Sequence, residues 1–215
     1  MPVIQARQYS LLKRQGKLPP EVAVLLGHNS GKEVSLTNPD VITLSLDWVI
    51  AHMKGTVLSA IYPCEVQSID TTGNYHANWR AYADEKPKIP DSKHGMNWAN
   101  VWKRLIPQLI LKGSIAATSQ LCVAGIYFIL PERVYQQFEK IVGPVPKVQA
   151  AGPGIISIMT YGIGPLVPQG KSRPLIQVRT IRIKVSDFAN AFASGQQVRL
   201  GPQLDVKVAD IISKL

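Results

Sequence analysis

Cysteine is scarce in this 215-residue chain, which contains only Cys64 and Cys122. Two cysteines in one copy exclude a disulfide framework of the kind that stabilises small secreted proteins, and they exclude a four-cysteine metal site. Each cysteine lies within an apolar run typical of a strand. We therefore expect both to be buried as small hydrophobic side chains.

Long apolar stretches are also absent. No run reaches the roughly 18 residues of a membrane span, and residues 1–17 lack the apolar centre of a signal peptide. These absences predict a cytoplasmic protein without a membrane partner.

Acidic residues are too few to balance the basic ones. Lys and Arg number 24 against 14 Asp and Glu, which gives a formal net charge of +10. A balance this basic favours a polyanionic partner, and nucleic acid before a membrane surface. The alternative is simply a soluble basic protein.

The length is that of one domain with a single core. Residues 4–15 predict a weak amphipathic helix, and a turn-rich stretch follows it. We therefore assign residues 1–39 to a helical arm and lead-in, residues 40–201 to the core, and residues 202–215 to a C-terminal helix.

Residues 41–67 contain two strand-like runs that each carry an acid. In the first run apolar and polar residues alternate, which places Asp47 on the polar face of a strand. In the second run Glu65 and Gln67 are two residues apart and point the same way. If the strands are neighbours, Asp47 and Glu65 converge without a compensating lysine nearby. Such a pair tends to bind a hard cation that supplies charge for phosphate chemistry.

Helices are predicted at three places downstream. Residues 97–112 have apolar residues at helical spacing, and Pro107 should kink this helix or split it. Pro131 should open a second helix that ends before Gly143. Ser186 should be the N-cap of a third.

Strands are predicted between these helices. Residues 120–130 form a continuous apolar run, typical of a strand buried on both faces. Residues 155–161 predict another strand. In residues 175–185 the apolar positions change parity, which predicts a bulge near Thr180. Strands grouped early and then alternating with helices predict an α/β fold, a mixed β-sheet flanked by helices.

An acid ending one strand and an E-x-Q pair on the next, followed by helix, strand and helix, resembles the PD-(D/E)XK restriction-endonuclease-like core. Over roughly residues 40–201 the chain is similar to the NotI-type restriction endonucleases. The matching segments are LDW at 46–48, EVQSID at 65–70, GNY at 73–75, NVWKR at 100–104, CVAGIYFILPERV at 122–134 and QVRTIRIKVSDFANAFASG at 177–195. An E-x-Q pair alone is common, so its neighbours in this order carry the resemblance.

The resemblance implies a catalytic set of Asp47, Glu65 and Gln67. Asp47 and Glu65 would ligate a divalent metal, expected to be Mg²⁺ with Mn²⁺ able to substitute, and the Val66 carbonyl would be a further ligand. Gln67 stands where most PD-(D/E)XK enzymes have lysine. Because its amide is neutral, we expect Gln67 to orient the attacking water by hydrogen bonding.

Six basic residues are candidates for contacts with DNA phosphates, and for the first four of them a solvated surface is the alternative. They lie in the polar stretch after the second acid-bearing strand, on the predicted helix of residues 97–112, and on the polar side of the last strand: Arg80, Lys93, Lys103, Arg104, Arg179 and Arg182.

The implied activity is that of a type II restriction endonuclease, which hydrolyses phosphodiester bonds of double-stranded DNA at a specific site. A palindromic site calls for two active sites, hence a homodimer. The resemblance adds a cognate DNA methyltransferase as functional partner, in a bacterial or phage-encoded restriction-modification system. Relatives carry a cysteine-rich segment ahead of the core, whereas residues 1–39 contain no cysteine. The alternatives are a non-specific nuclease of this fold and a basic DNA-binding protein without enzymatic activity.

Overall fold

The computed structural model describes residues 1–27, 34–38, 42–68, 72–74, 76–84, 86, 88, 90–91, 94–168, 171–194 and 201–214. The strands are β1 (Val3–Gln5), β2 (Glu21–Gly27), β3 (Val34–Asn38), β4 (Ile42–Leu46), β5 (Trp48–Lys54), β6 (Val57–Val66), β7 (Ile126–Pro131), β8 (Ile155–Ile163) and β9 (Leu175–Lys184). The helices are α1 (Ala6–Arg14), α2 (His76–Ala83), α3 (Trp98–Asn100), α4 (Ile106–Thr118), α5 (Glu132–Val142), α6 (Val185–Ala193) and α7 (Gly201–Ile212), and a π-helical turn (Val101–Leu105) joins α3 to α4.

Seven strands form one mixed sheet in the order β1-β2-β5-β6-β7-β8-β9. β6, β7 and β8 are parallel, whereas β5 and β9 pair antiparallel with their neighbours. The carboxyl ends of the three parallel strands therefore lie at one edge, where open α/β sheets commonly bind ligands. The predicted α/β class, a mixed sheet flanked by helices, is confirmed.

One face of the sheet carries the main hydrophobic core. Alternate residues of β7, Ile126, Phe128 and Leu130, are almost fully buried in a cluster that includes side chains of α4, α5 and α6. Phe138 of α5 stacks on Phe188 of α6 with the ring centroids 5.3 Å apart. Full burial of a side chain of this size contributes about 1.5–3 kcal/mol. Leu109 and Ala116 of α4 belong to the same cluster, so the core holds α4 against the sheet.

β3 and β4 form a separate two-stranded antiparallel sheet. The alternating pattern predicts one continuous strand here, but the chain changes sheets at Asp47, because β4 ends at Leu46 and β5 begins at Trp48. The buried positions change parity at the same point, from Leu44 and Leu46 to Val49. Asp47 therefore lies at a junction between two sheets.

The segment predicted as an arm and lead-in contributes two strands to the main sheet. β2 pairs with β5 along its whole length, from Glu21 opposite Lys54 to Gly27 opposite Trp48, and β1 pairs parallel with β2. The sheet thus extends across the predicted boundary between residues 39 and 40.

The predicted helix of residues 97–112 is divided into segments. The π-helical turn follows α3, and Pro107 lies in the first turn of α4. Proline has no N–H to donate, so it fits where a new helix begins. The predicted kink or split takes the form of a change of helix type at Ile106, from π-helical to α-helical, while helical backbone runs from Trp98 to Thr118.

The prediction of a strand over residues 120–130 is wrong for its first half. Turns occupy it, and β7 begins only at Ile126. Gly125 has a φ of 72°, and a Cβ there would lie 2.1 Å from the Ile155 carbonyl oxygen. Only glycine fits this turn. Pro131 precedes α5, as predicted.

The predicted bulge in β9 is confirmed. Arg179 pairs with Thr160 and Gln177 with Tyr161, so Val178 is the extra residue. The predicted cap of the next helix is wrong, because α6 begins at Val185 and its N-cap position makes no side-chain hydrogen bond.

The scarcity of cysteine and of long apolar runs has structural counterparts. Cys64 and Cys122 are buried free thiols, as predicted. Within the residues described, no helix has the length and apolar character needed to cross a membrane.

Candidate active site

Asp47 and Glu65 meet at the carboxyl end of β6. Trp48 opens β5 opposite Cys64, so the residues one position further along, Asp47 and Glu65, are also neighbours. The backbone N–H of Asp47 donates to Oε1 of Glu65 at 3.3 Å. In turn, Oδ2 of Asp47 accepts a hydrogen bond from the backbone N–H of Val66 at 2.9 Å. The structure therefore brings the two predicted carboxylates together.

Lys112 also lies in this site, contrary to the expectation that the carboxylates lack a compensating lysine. It belongs to α4 and is only 8% exposed. Its Nζ lies 2.5 Å from Oε2 of Glu65, a charge-assisted hydrogen bond of the stronger kind. We refer to Asp47, Glu65 and Lys112 together as the β6 site.

Lys112 is the residue that the sequence pattern misses. The apolar stripe of the helix assigns it to a solvent-facing side, yet Arg104, Gln108 and Lys112 follow at intervals of four, and residues so spaced lie on one face of a helix. Lys112 reaches Glu65, while Arg104 and Gln108 border Gln67. A polar stripe of this spacing, read against an acid-bearing strand, is the signal that points to Lys112.

The surroundings of Glu65 disfavour its negative charge. Burial is the main cause that raises the pKa of Glu65 above its ordinary value; the hydrogen bond and charge of Lys112 oppose this rise, and the charge of Asp47 adds to it. Burial, with the charge of Glu65, also raises the pKa of Cys64 to about 11. The Cys64 thiol is therefore protonated and unreactive at neutral pH. Because the pKa of Glu65 is raised, an additional positive charge near its carboxylate would be favourable.

Gln67 lies just beyond β6, on the same side as Glu65. Its backbone N–H donates to the Ile129 carbonyl at 2.9 Å, and its Nε2 donates to the Ser68 carbonyl at 2.8 Å. The side chain helps to line a polar cleft of about 90 Å³ with Asn100 and Arg104. The role of Gln67 in orienting water stays a prediction.

Three of the predicted DNA contacts are on exposed helical surface. Lys103 and Arg104 are exposed on the π-helical turn, and Arg104 borders the cleft beside Gln67. Arg80 is exposed in α2. Lys93 lies outside the described residues.

The other two predicted contacts, Arg179 and Arg182 of β9, both bind other groups of the protein. Arg179 forms ion pairs with Glu132 and Glu139. Arg182 donates to the Gln149 carbonyl at 3.2 Å. The geometry of Arg179 disfavours the predicted phosphate contact, because its charge is already compensated by two carboxylates.

The donors of the β6 site suit a hard divalent cation. Asp47 and Glu65 offer carboxylate oxygens, which Mg²⁺ prefers, and Val66, whose carbonyl is the predicted further ligand, is held to Asp47 through its N–H. Among the residues described, no three His, Cys, Asp or Glu side chains converge. A cation here would therefore rest on two carboxylates, with the remaining ligands from backbone and water. Asp70, which ends the EVQSID segment, is not among the residues described.

Comparison of the chain with models of known protein families finds no matching family, and comparison with curated proteins finds no match. The similarity to the NotI-type endonucleases therefore rests on the chain's own segments and stays a prediction.

Proposed function

We propose that this protein is a Mg²⁺-dependent endonuclease that hydrolyses phosphodiester bonds in double-stranded DNA, with the β6 site as its active site. The observation that carries the proposal is the convergence of Asp47, Glu65 and Lys112 at the carboxyl end of β6, in a protein of net charge +10. The finer assignment is a PD-(D/E)XK core of the NotI type. The segments around Asp47 and Glu65 support it.

Each residue of the proposed site has its own part. Asp47 and Glu65 would hold the cation, whose chemistry, when it is bound, would be to offset the negative charge of the phosphate under attack. The Val66 N–H fixes the carboxylate of Asp47. Gln67 orients the attacking water through its amide.

Lys112 supplies the charge that Gln67 lacks. Most PD-(D/E)XK enzymes have lysine two residues after the glutamate, and this chain has a neutral amide there. An ammonium on α4, bound to Glu65, provides fixed positive charge beside the carboxylates without a lysine on β6. The proposed site therefore combines two acids from one sheet junction with a lysine from a helix.

DNA would approach along the exposed surface of the π-helical turn that precedes α4. Arg104 borders the cleft beside Gln67, and Lys103 is exposed next to it. Both side chains are placed to contact phosphates. Cleavage of both strands at a palindromic site requires two copies of the site, so the proposed enzyme acts as a homodimer. A cognate methyltransferase would protect the host DNA.

The direct test is incubation of unmethylated supercoiled plasmid with the protein, with and without Mg²⁺. We expect cleavage only with Mg²⁺, and a loss on the order of 10²–10³-fold in Asp47→Asn, as is usual when a main electrostatic group is removed. The matched control is Asp84→Asn, which neutralises an exposed carboxylate just after α2 and should leave the rate unchanged.

The cleavage products distinguish a site-specific restriction enzyme from a non-specific nuclease. Discrete fragments indicate a restriction enzyme, whereas a smear indicates a non-specific nuclease. Intact DNA at every Mg²⁺ concentration contradicts both.

A second candidate, a DNA-binding protein without enzymatic activity, is favoured by one observation. Glu65 already has a buried cationic partner in Lys112, so the pair also fits a purely structural role. This reading predicts DNA binding, measured by fluorescence anisotropy, that is independent of Mg²⁺ and persists in Glu65→Gln, with no nicking under any condition.

A further inference from the structure

An apolar cavity of about 260 Å³ lies between the β3–β4 sheet and the main sheet. Side chains from β3, β4, β6 and α4 form most of its wall: Leu36, Leu44, Leu46, Ile61, Pro63 and Ile115. Lys112 and Ser119 also border it, but the ammonium of Lys112 is bound to Glu65. The cavity therefore offers water few hydrogen-bonding partners.

The size and lining of the cavity define the kind of molecule that fits. Cavities of roughly 150 Å³ lined by Leu, Ile and Phe stay dry and take up benzene, and this cavity is larger with a comparable lining. A charged molecule is disfavoured, because burial of a charge costs free energy unless it is paired, and Lys112, the charged residue of the described wall, is already paired with Glu65. A compact, uncharged molecule of about one or two aromatic rings matches the volume and the chemistry.

We propose that this cavity binds a compact, uncharged apolar molecule, and that its occupancy is coupled to the β6 site. Two elements connect them. Leu46 at the end of β4 lines the cavity and is followed directly by Asp47, and Lys112 of α4 borders the cavity while it holds Glu65. A molecule that displaces β4 moves Asp47, and one that displaces α4 moves Lys112; each of these residues is a hydrogen-bond partner of Glu65. The effect on DNA cleavage rests on the proposed function, whereas the binding itself does not.

Binding is tested with toluene as the probe and the full chain as the protein. Methyl NMR should show saturable one-to-one shifts for Leu36, Leu44 and Ile115, and the Tm should rise with toluene concentration, since a ligand that binds only the folded state stabilises it. Benzoate, which has a ring of the same size and a negative charge, should bind at least tenfold more weakly.

Variants that fill the cavity from opposite sides give the matched test. Ala116→Leu adds volume from α4, and Val34→Phe adds it from β3; both residues line the cavity. Each variant that unfolds cooperatively should bind toluene at least tenfold more weakly than the wild type. Val178→Phe is the control, because Val178 is exposed on β9, away from the cavity, and toluene binding should be unchanged.

Three results overturn the binding proposal. The first is no saturable shift up to the solubility limit of toluene, the second is toluene binding in both filled variants that is as tight as in the wild type, and the third is benzoate binding as tight as that of toluene. Coupling predicts that saturating toluene changes the plasmid cleavage rate at least threefold in the wild type and not in the filled variants. An unchanged wild-type rate overturns the coupling. If the wild type cleaves nothing even without toluene, the proposed function fails, and coupling is then judged by whether toluene shifts the side-chain NMR signals of Lys112 and Glu65.

Discussion

Two clusters, each with carboxylates and one basic side chain, lie at the same edge of the sheet. They differ in how far the negative charge of the carboxylates is compensated. The β6 site lies at the end of β6. The second, which we call the Arg179 cluster, lies at the carboxyl end of β7, beside β8 and β9, and consists of Glu132, Glu139, Thr160 and Arg179. Each cluster has two acids and one basic side chain, so the difference between them lies in burial and hydrogen bonding and not in composition.

In the Arg179 cluster the hydrogen bonds and charge around the main acid, Glu132, outweigh the effect of its burial. Glu132 accepts hydrogen bonds from Thr160 Oγ1 at 2.6 Å and from Arg179 Nε at 3.1 Å, and the guanidinium lies 4.7 Å from the ring centroid of Tyr135. Although burial raises the pKa of Glu132, the hydrogen bonds and charge of Arg179 and the bond from Thr160 outweigh burial, and the pKa is lowered. This arrangement is typical of an ion pair that serves stability.

At the β6 site the balance is reversed. Glu65 is more deeply buried than Glu132, it lies beside a second acid, and its pKa is raised in spite of Lys112. A carboxylate whose charge is incompletely compensated gains from an added cation, and perturbed acids of this kind concentrate at functional sites. The two clusters have the same number of charges, so the candidate site is distinguished by the incomplete compensation of Glu65.

Removal of the basic partner should separate the clusters most strongly. Lys112→Met leaves Glu65 buried without a cation and should lower the free energy of unfolding by about 3–5 kcal/mol. Arg179→Met removes a partly exposed pair and should cost about 1 kcal/mol. Urea unfolding measures both. The double variant Glu65→Gln, Lys112→Met should recover most of the loss, and equal losses in the two single variants would remove the distinction.

The pH dependence of the two acids should have opposite signs. Because its pKa is raised on folding, the contribution of Glu65 to stability is complete below the pKa of an unfolded glutamate and is lost as pH rises through its folded value. Because its pKa is lowered, the contribution of Glu132 is complete above the unfolded value and is lost as pH falls through its folded value. Carboxyl ¹³C NMR should find Glu65 titrating at a higher pH than Glu132; the reverse order would contradict the account.

The smallest expected effect concerns DNA affinity. Arg104→Ala removes an exposed cation beside the cleft, and it should weaken DNA binding severalfold and reduce the slope of log affinity against log salt by about 1. Arg179→Ala is the matched control, because that guanidinium is already held by two glutamates. Fluorescence anisotropy over a salt series compares them. A larger effect from Arg179 than from Arg104 would reverse our assignment.

The acids of the candidate site are predictable from the sequence because strand parity is local. Alternation places Glu65 and Gln67 on one side of a strand, and adjacent strands bring Asp47 opposite Glu65. The apolar residues continue from Leu46 to Trp48 and Ile50 without a break, so the sequence pattern does not reveal that the buried positions change parity at Asp47. The pattern therefore identifies the acids and misses the junction that holds them.

The spacing of Arg104, Gln108 and Lys112 marks one polar face of the helix, but it does not show that Lys112 is buried against Glu65, and no local pattern marks the turn at Gly125. The burial of a lysine depends on how closely its helix packs on the strand that carries its partner, which the period of the helix does not specify. The turn at Gly125 depends on a carbonyl 30 residues away in sequence, that of Ile155. Both are long-range contacts, and local propensity carries no record of them.

The central claim is tested most directly by the rate of Mg²⁺-dependent nicking of supercoiled DNA in a matched pair of variants, Glu65→Gln and Glu132→Gln. Each removes one negative charge and keeps the shape of the side chain. We predict that Glu65→Gln loses nicking on the order of 10²-fold or more, while Glu132→Gln, at equal folded fraction, keeps the wild-type rate. Equal rates in the two variants would contradict the assignment of the β6 site.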